Sequence, residues 1–353
     1  MATDRLTFQH ATTDAPARVA VIAELGVNHD GDADQARRLL DAAVEAGADA
    51  IKLQLFRPDR LLSRDAELAK YQEGSADDPR AMLDALTLPI DAIRAIGEAA
   101  HDAGLAFVVT PFSLGDVDDL AELPIDAAKI ASPDAVNTPL LNRVAELNKP
   151  ILVSTGTCEN DELDHASRVT QVSGGALLQC VSSYPAPLDQ AGLGGIAKLR
   201  SSWDDLLPDA PRLRVGYSDH TPGVDTGAWA VAAGACLLEK HLTLDPTADG
   251  PDHAASLDPA QFADYVARAR AAARALGPIA KRVQPCEADV ARVSRQSLVT
   301  TRDLPAGHIL TPDDLAIKRP GTGTPARDLA SIVGRRLTQA RPADTVIPPD
   351  AFQ

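Results

Sequence analysis

The sequence predicts an α/β protein, a closed (β/α)₈ barrel followed by a small β-rich domain. Eight short apolar runs alternate with amphipathic segments between residues 19 and 276. The runs are nearly continuous in Val, Ile, Leu and Ala, which is typical of strands buried on both faces of a parallel sheet. Strand–helix alternation repeated eight times favours a closed barrel. The alternation stops after Gly277.

Each predicted strand is followed by a segment long enough to form a helix. The strands are Val19–Gly26, Ala50–Phe56, Ala106–Phe112, Ala127–Ser132, Pro150–Gly156, Ala176–Ser183, Arg214–His220 and Cys236–Thr243. Helices are predicted at Asp34–Ala46, Ile90–Ala103, Pro139–Leu147, Glu159–Val172, Val224–Ala233 and Pro259–Leu276. The main alternative is a doubly wound open sheet, which usually carries a glycine-rich phosphate loop after its first strand. Val27–Asp32 follows the first strand here and is not such a loop.

The chain divides into a predicted barrel domain over residues 1–277, a linker over 278–295 and a small domain over 296–353. A length of 353 residues is more than one compact domain usually needs. In the last segment, Leu304–Gly307 leads to Thr311–Leu315, and Arg341–Asp344 leads to Pro348–Phe352. This weak internal repeat predicts a pseudo-symmetric domain of short strands and turns.

Composition excludes several classes of partner. A formal net charge of -16 argues against general binding to nucleic acid, although a few Lys and Arg can still form a local anion pocket. The chain has neither an apolar run long enough to cross a membrane nor the basic and apolar start of a signal peptide. The four cysteines have no CxxC spacing, which fits a reducing compartment. We therefore expect a soluble, cytoplasmic protein without a membrane partner.

Polar side chains end the predicted strands, where barrel enzymes place their active sites. In chain order they are Glu24, Lys52, Gln54, Thr110, Lys129, Ser132, Ser154, Thr155, Ser182, Tyr184, Ser218, His220, Glu239 and His241. Lys52 and Lys129, with hydroxyls such as that of Ser132, suit a phosphate and a carboxylate. The alternative is that each lysine pairs with a barrel glutamate as structural support. Two such lysines together favour anion binding.

His220 and His241 end neighbouring predicted strands, so their imidazoles can reach one metal ion. Glu239 lies two residues before His241 and points to the same face of a regular strand. Glu24 and Asp252 can add a ligand or hold a metal-bound water. The alternative is a pair of histidines that only form hydrogen bonds in the structure.

Ordered motifs extend from the first predicted strand to the small domain. They are Ala23–Asp32, Ala48–Gln54, Thr110–Phe112, Lys129–Ser132, Ser154–Gly156, Cys180–Pro187, Gly216–Thr221, Glu239–His241, Gly250–His253 and Lys318–Gly321. With these motifs the chain resembles the bacterial sialic acid synthases, meaning N-acetylneuraminate synthase and its relatives for legionaminic and pseudaminic acids. The last segment resembles the family's antifreeze-like (SAF) domain, a β-clip fold. The resemblance covers nearly the whole chain past the first dozen residues.

The resemblance implies a TIM barrel that condenses phosphoenolpyruvate with an N-acetylmannosamine-type sugar and water to give a nonulosonic acid and phosphate. It implies a domain-swapped homodimer in which Arg319 reaches the partner's active site and contacts the sugar's N-acyl group. It implies Mn²⁺ or Mg²⁺ at His220 and His241. It also implies phosphoenolpyruvate binding by Lys52, Lys129, Ser132, Ser154, Ser182, Tyr184 and Ser218.

Further residues are candidates for catalysis and for the sugar. Glu24, Glu239 and Asp134 are candidates for moving protons and stabilising positive charge. Gln54 and Asp252 are candidates for binding the sugar together with Arg319.

Several positions depart from the family pattern around the acceptor. Pro133-Asp134 stands where relatives commonly have Gly-Glu or Gly-Asp, and Ser182 where some have Asn. Ala254 replaces a frequent Lys, and Thr157-Cys158 replaces the Met that is usual after Ser-Thr-Gly. The identity of the sugar therefore stays open. The alternatives are another phosphoenolpyruvate-dependent aldol-type synthase with a different acceptor, or a catalytically inactive sugar-binding homologue.

Overall fold

Eight parallel strands close a barrel in the order in which they occur along the chain. The computed structural model describes residues 6–65, 78–203 and 213–353. The strands are β1 Ala20–Gly26, β2 Ala50–Leu55, β3 Ala106–Pro111, β4 Ala127–Ile130, β5 Ile151–Ser154, β6 Ala176–Cys180, β7 Arg214–Asp219 and β8 Leu237–His241. Each pairs with the next, and β8 pairs with β1. The predicted barrel is confirmed, with strands slightly shorter than expected because their polar ends continue as loops.

Helices follow the strands around the barrel. They are α1 Ala33–Glu45, α2 Pro58–Leu61, α3 Pro79–Ala85, α4 Ile90–Asp102, α5 Leu114–Leu120, α6 Thr138–Ala145, α7 Asp164–Ser173, α8 Gly194–Trp203, α9 Thr226–Ala233 and α10 Pro259–Leu276. The predicted helix Glu159–Val172 begins as a 3-10 segment at Asn160–Leu163 and continues as α7. α2, α3, α5 and α8 are not among the predicted helices. Among the described residues, no helix is long and apolar enough to cross a membrane.

Local sequence explains where individual helices begin. The Asp32 carboxylate accepts a hydrogen bond from the Asp34 amide at 2.8 Å and so caps α1. At the start of α10, Asp258 and Gln261 form a capping box, and Pro259 occupies the first turn, where its missing N–H costs nothing.

The inside of the barrel is apolar at the amino ends of its strands and polar at their carboxyl ends. Because side chains alternate along a strand, every second residue faces inward. In β1 this places Ile22 in the interior core and Glu24 one step above it. Leu6 and Phe8, which precede β1, pack into the same apolar cluster. Polar groups are thereby confined to the carboxyl-end rim.

The chain divides into two compact units, Met1–Ile279 and Ala280–Gln353. The second contains α11 Ala288–Ser294, β9 Ser297–Thr300, β10 Leu315–Lys318 and α12 Leu329–Ile332, with β9 and β10 antiparallel. The small β-rich domain is confirmed. The segment 278–295, predicted as a linker, lies almost entirely in this unit and contains α11, where the Arg292 carbonyl accepts a hydrogen bond from the Gly321 amide at 2.9 Å.

One buried carboxylate organises the second unit. Asp314 is fully buried and accepts hydrogen bonds from the Arg302 guanidinium at 2.6 and 2.9 Å and from the Thr311 amide at 2.9 Å. His308 Nε2 lies 2.7 Å from its second oxygen. Burial alone would raise the pKa of Asp314, but these hydrogen bonds hold it well below its ordinary value. The carboxylate therefore stays ionised and joins three neighbouring turns.

Candidate functional site

A cavity of about 360 Å³ lies at the carboxyl ends of the barrel strands. Most of the predicted site residues line it: Glu24, Lys52, Gln54, Lys129, Ser132, Ser154, Ser182, Tyr184, Ser218, His220, Glu239, His241 and Asp252. Asp134 is not among the lining residues, because its carboxylate turns to the Asn137 amide, which donates to it at 3.1 Å. Arg319 is an exposed residue of the second unit.

Four charged side chains form a buried cluster in this cavity. Lys52 Nζ lies 3.0 Å from Glu24 Oε2 and 3.1 Å from Glu239 Oε1. Lys129 Nζ is 3.7 Å from the same Glu239 oxygen and donates to the Ile130 carbonyl at 3.1 Å. Lys129 is thus held less tightly than Lys52. We call these four residues, Glu24, Lys52, Lys129 and Glu239, the charge cluster.

The charge cluster sets the ionisation of its own members. Burial alone would raise the pKa of Glu239, but Lys129 and Lys52 lower it well below its ordinary value. Burial lowers the pKa of Lys129 to about 8. For Glu24, burial outweighs the attraction of Lys52, and the pKa is raised. Glu239 is therefore the firm counter-charge, whereas Glu24 is suited to carrying a proton near neutral pH.

Hydroxyl groups surround the charge cluster, and several have no partner within the described part of the chain. Ser218 donates to Glu239 Oε1 at 2.9 Å, and Ser132 accepts from the Gly156 amide at 3.0 Å. The hydroxyl oxygens of Thr110, Ser154 and Ser182 are buried in the lining without a hydrogen bond among the described residues. Leaving a buried hydroxyl unpaired costs free energy, so these groups fit a ligand that carries oxygen atoms.

Lys240 illustrates the other face of the same strand. It lies between Glu239 and His241 and points away from the cavity, where its Nζ is 3.3 Å from Asp219 Oδ1. Asp219 also accepts hydrogen bonds from Thr221 and Thr226. The ion pair between Lys240 and Asp219 is fully buried. Lys52 and Lys129 do pair with barrel glutamates, as the structural alternative expected, but unlike Lys240 they also face the cavity.

Two imidazoles lie side by side at the ends of β7 and β8. The ring centroids of His220 and His241 are 5.5 Å apart, and Tyr184 packs on His220 at 4.0 Å. His220 Nδ1 is 2.8 Å from the Val181 carbonyl, which fixes that nitrogen as the donor and leaves Nε2 as the basic one. His241 Nδ1 is buried without a hydrogen bond in the described residues and lies 3.5 Å from Asp252 Oδ2.

This pair fits a divalent metal ion as two nitrogen ligands. Burial keeps the pKa of His241 well below its ordinary value, so its imidazole is neutral, as a metal ligand must be. Burial also acts to lower the pKa of His220, but Cys180 and the hydrogen bond to Val181 outweigh it and raise that pKa, so a bound metal would displace a proton from His220. Within residues 6–65, 78–203 and 213–353, no three His, Cys, Asp or Glu side chains are grouped as a complete metal site. Water and substrate oxygens can complete the coordination of such an ion.

The loop after β8 is fixed to the loop after β1 by contacts that sequence reasoning missed. His253, which is not among the predicted site residues, is buried and places Nε2 3.0 Å from Asp30 and Nδ1 2.7 Å from Thr243. The Asn28 amide donates to Ser256 Oγ at 2.8 Å. These contacts hold the segment that carries Asp252 over the cavity. The only sequence signal for them was the presence of both loops among the ordered motifs.

Part of the cavity is apolar, which the sequence did not predict. Val27, Met82, Leu83, Leu86 and Phe112 line it and belong to one small hydrophobic cluster. We call these five residues the apolar wall. Met82 and Leu83 lie on α3 and Leu86 directly follows it. No pattern in the sequence indicated that this short helix borders the site.

Comparison with known proteins relates both units to characterised families. The sequence profile of the NeuB family matches residues 39–281, and that of the SAF domain matches residues 295–353. The N,N'-diacetyllegionaminic acid synthase of Campylobacter jejuni is 36% identical over 338 residues, covering 94% of this chain and 99% of the relative. The N-acetylneuraminate-9-phosphate synthase of Homo sapiens is 32% identical over 335 residues, covering 93% and 91%.

A solved structure supports the same relationship. The N-acetylneuraminic acid (sialic acid) synthetase of Leptospira borgpetersenii, in complex with citrate, superposes with a TM-score of 0.68 at 28% identity. The match covers 80% of this chain and 96% of the other.

Ser154 and Ser218 provide a matched test of the unpaired hydroxyls, since both are 2% exposed. Ser154→Ala removes a hydroxyl that has no hydrogen-bond partner in the described residues, so we expect the free energy of unfolding to stay level or rise by about 1 kcal/mol. Ser218→Ala removes a hydrogen bond to the Glu239 carboxylate and should lower it by about 1.5–3 kcal/mol. Urea denaturation of the two variants measures this difference, and equal destabilisation would contradict the assignment.

Proposed function

The chain belongs to the NeuB family and carries a SAF domain, and on this basis we propose that it condenses phosphoenolpyruvate with an N-acylated hexosamine. In this reaction C3 of phosphoenolpyruvate forms a bond to the aldehyde carbon of the open-chain sugar. Water adds at C2, the bond from C2 to the phosphate oxygen breaks, and a nonulosonic acid and phosphate are released. The names of the relatives support this reaction type.

One observation carries the proposal for this particular chain. Lys52 and Lys129, both buried, converge on the cavity together with the unpaired hydroxyls of Thr110, Ser154 and Ser182. Phosphoenolpyruvate carries a carboxylate and a phosphate, which need cations and directional donors.

The charge cluster gives each of its members a distinct role in the proposed mechanism. Lys52 and Lys129 would bind the two anionic groups of phosphoenolpyruvate, with Ser132, Ser182, Tyr184 and Ser218 orienting them. Glu239 would hold the lysines in place and stabilise positive charge that develops at C2. Glu24, with its raised pKa and Gln54 3.0 Å from Oε1, would transfer a proton to the sugar oxygen. Asp134 faces Asn137, so we assign it no proton transfer.

His220 and His241 would hold the divalent ion, Mn²⁺ or Mg²⁺, with Asp252 beside His241. When bound, such an ion supplies Lewis-acid polarisation of the sugar aldehyde. Tyr184 packs on His220, and the hydrogen bond to Val181 fixes the tautomer of that ring. Asp252 and Gln54 line the cavity where their polar atoms can bind hydroxyl groups of the sugar.

We further propose a homodimer in the cytoplasm, in which Arg319 of one copy binds the N-acyl group in the partner's cavity. The motif Lys318–Gly321 lies in the unit that matches the SAF domain, and Arg319 is exposed there. The cysteines Cys158, Cys180, Cys236 and Cys286 are all free thiols, which agrees with a reducing compartment.

The direct test is release of phosphate from phosphoenolpyruvate in the presence of Mn²⁺ and one sugar at a time, with products identified by mass spectrometry. The sugars are N-acetylmannosamine, its 6-phosphate, mannose and a diacetamido-trideoxyhexose. We expect phosphate release together with a nonulosonic acid of the corresponding mass. Failure of the folded, metal-loaded protein to bind phosphoenolpyruvate would refute the proposal.

Glu24→Gln tests the proton carrier. The substitution keeps the size of the side chain, but it replaces one acceptor oxygen by an NH₂ donor, removes a counter-charge of Lys52 and cannot exchange a proton. We expect turnover to fall by about 10²–10⁴-fold. Phosphoenolpyruvate affinity, measured by calorimetry, should change much less. Glu98→Gln, an exposed position on α4, is the matched control. Unchanged turnover in the Glu24 variant would remove this residue from the mechanism.

A further inference from the structure

The lining of the cavity is divided by chemistry. Strand ends supply charged and hydroxyl groups, whereas the apolar wall presents only carbon and sulfur atoms of side chains. Within the wall, Met82 and Leu86 are 7% and 8% exposed, and Leu83 and Phe112 are half-buried. These side chains pack against one another and leave no polar side-chain group among them. A ligand group that rests on this surface gains by being apolar.

Both lysines that line the cavity already bind phosphoenolpyruvate in the proposed function. Lys52 and Lys129 are the only Lys or Arg residues among the described lining residues, and they face three carboxylates, Glu24, Glu239 and Asp252. In the proposed function both lysines bind phosphoenolpyruvate. Among the described residues of one copy, a second phosphate, on the acceptor sugar, would therefore find no further Lys or Arg in the lining, and burying it there is unfavourable.

The arginines that follow β2 in the chain do not fill this gap. Arg57 Nε lies 3.4 Å from Asp119 Oδ2, and Arg60 Nη1 lies 2.9 Å from Asp116 and 2.8 Å from Asp119. The Arg60 guanidinium also packs on Gly115, where an added Cβ would lie 3.1 Å from Cζ. Both guanidinium groups are held by carboxylates of α5, and neither arginine lines the cavity.

We propose that the apolar wall selects an unphosphorylated acceptor sugar that turns methyl groups, of a deoxygenated carbon or of an acyl substituent, toward Met82, Leu83 and Leu86. This inference rests on the proposed synthase function and identifies its substrate class. A hydroxyl in the same place would lose water without gaining a partner on the wall. A phosphate would lose more, because it would also lack a counter-charge.

The test compares kcat/KM for three acceptors with the full-length, Mn²⁺-loaded protein. They are a diacetamido-trideoxyhexose of the manno configuration, N-acetylmannosamine and N-acetylmannosamine 6-phosphate. We expect the first to exceed the second by at least about tenfold and the third by at least about 100-fold, as several buried methyl groups and one unpaired anion imply. Equal or better use of N-acetylmannosamine or its 6-phosphate would overturn the selection while leaving the synthase function intact. Phosphate release with none of the three, despite phosphoenolpyruvate binding, would overturn it too.

Leu83→Lys tests the wall itself. Leu83 is half-buried, so a lysine can be accommodated, and its ammonium supplies the missing cation. We expect the ratio of kcat/KM for the 6-phosphate to that for the trideoxyhexose to rise by at least about tenfold. Because both acceptors are compared on one variant, partial loss of folded protein cancels in the ratio. Leu276→Lys, at the exposed end of α10, should leave the ratio unchanged.

Leu83→Gln separates charge from polarity. This variant should reduce the preference for the trideoxyhexose over N-acetylmannosamine without improving use of the 6-phosphate. An unchanged ratio in both Leu83 variants would show that the wall does not contact the acceptor, and would overturn the proposal even if the wild-type preference were as expected.

Discussion

Two buried lysines that share one carboxylate are the constraint on which the rest of this site depends. Burying a single ammonium group is strongly unfavourable, and it persists only where counter-charges and hydrogen bonds compensate. Glu239 and Glu24 supply that compensation for Lys52 at 3.0–3.1 Å. Lys129 lies farther from its counter-charge, at 3.7 Å from Glu239. The cluster is therefore stable without a ligand, yet it retains one weakly held cation and several free hydroxyls for an anion.

The barrel places this cluster through the alternation of its strands. Interior positions near the amino ends are filled by apolar side chains, so inward-facing polar residues are found one or two steps later, at the rim. The neighbouring residue Lys240 shows the importance of register, because it faces the other side of β8 and is fully engaged with Asp219. If the register of β8 shifted by one residue, Lys240 would face the cavity and Glu239 would face away from it.

The sequence was sufficient to predict the barrel and the residues that meet at its rim. Because side chains alternate along a strand, Lys52, Ser218 and Glu239 could be assigned to the barrel interior without knowledge of the loops. It was insufficient where distant loops decide the outcome. His253 meets Asp30 across 223 positions of sequence, and Met82 borders the cavity only because α3 packs there. The segment 278–295 was predicted as a linker from its mixed charges and Pro285, and this pattern did not indicate the short helix α11 that it contains.

Calorimetric titration of phosphoenolpyruvate into the wild-type protein, Lys129→Met and Lys240→Met tests the central claim most directly. Both lysines are almost completely buried beside a carboxylate, but only Lys129 faces the cavity. We expect Lys129→Met to weaken binding by at least about tenfold, the value of a lost charge-assisted hydrogen bond. Lys240→Met should lower stability and leave the affinity of the folded protein nearly unchanged. Equal affinity in all three proteins would contradict the assignment of the charge cluster as the anion site.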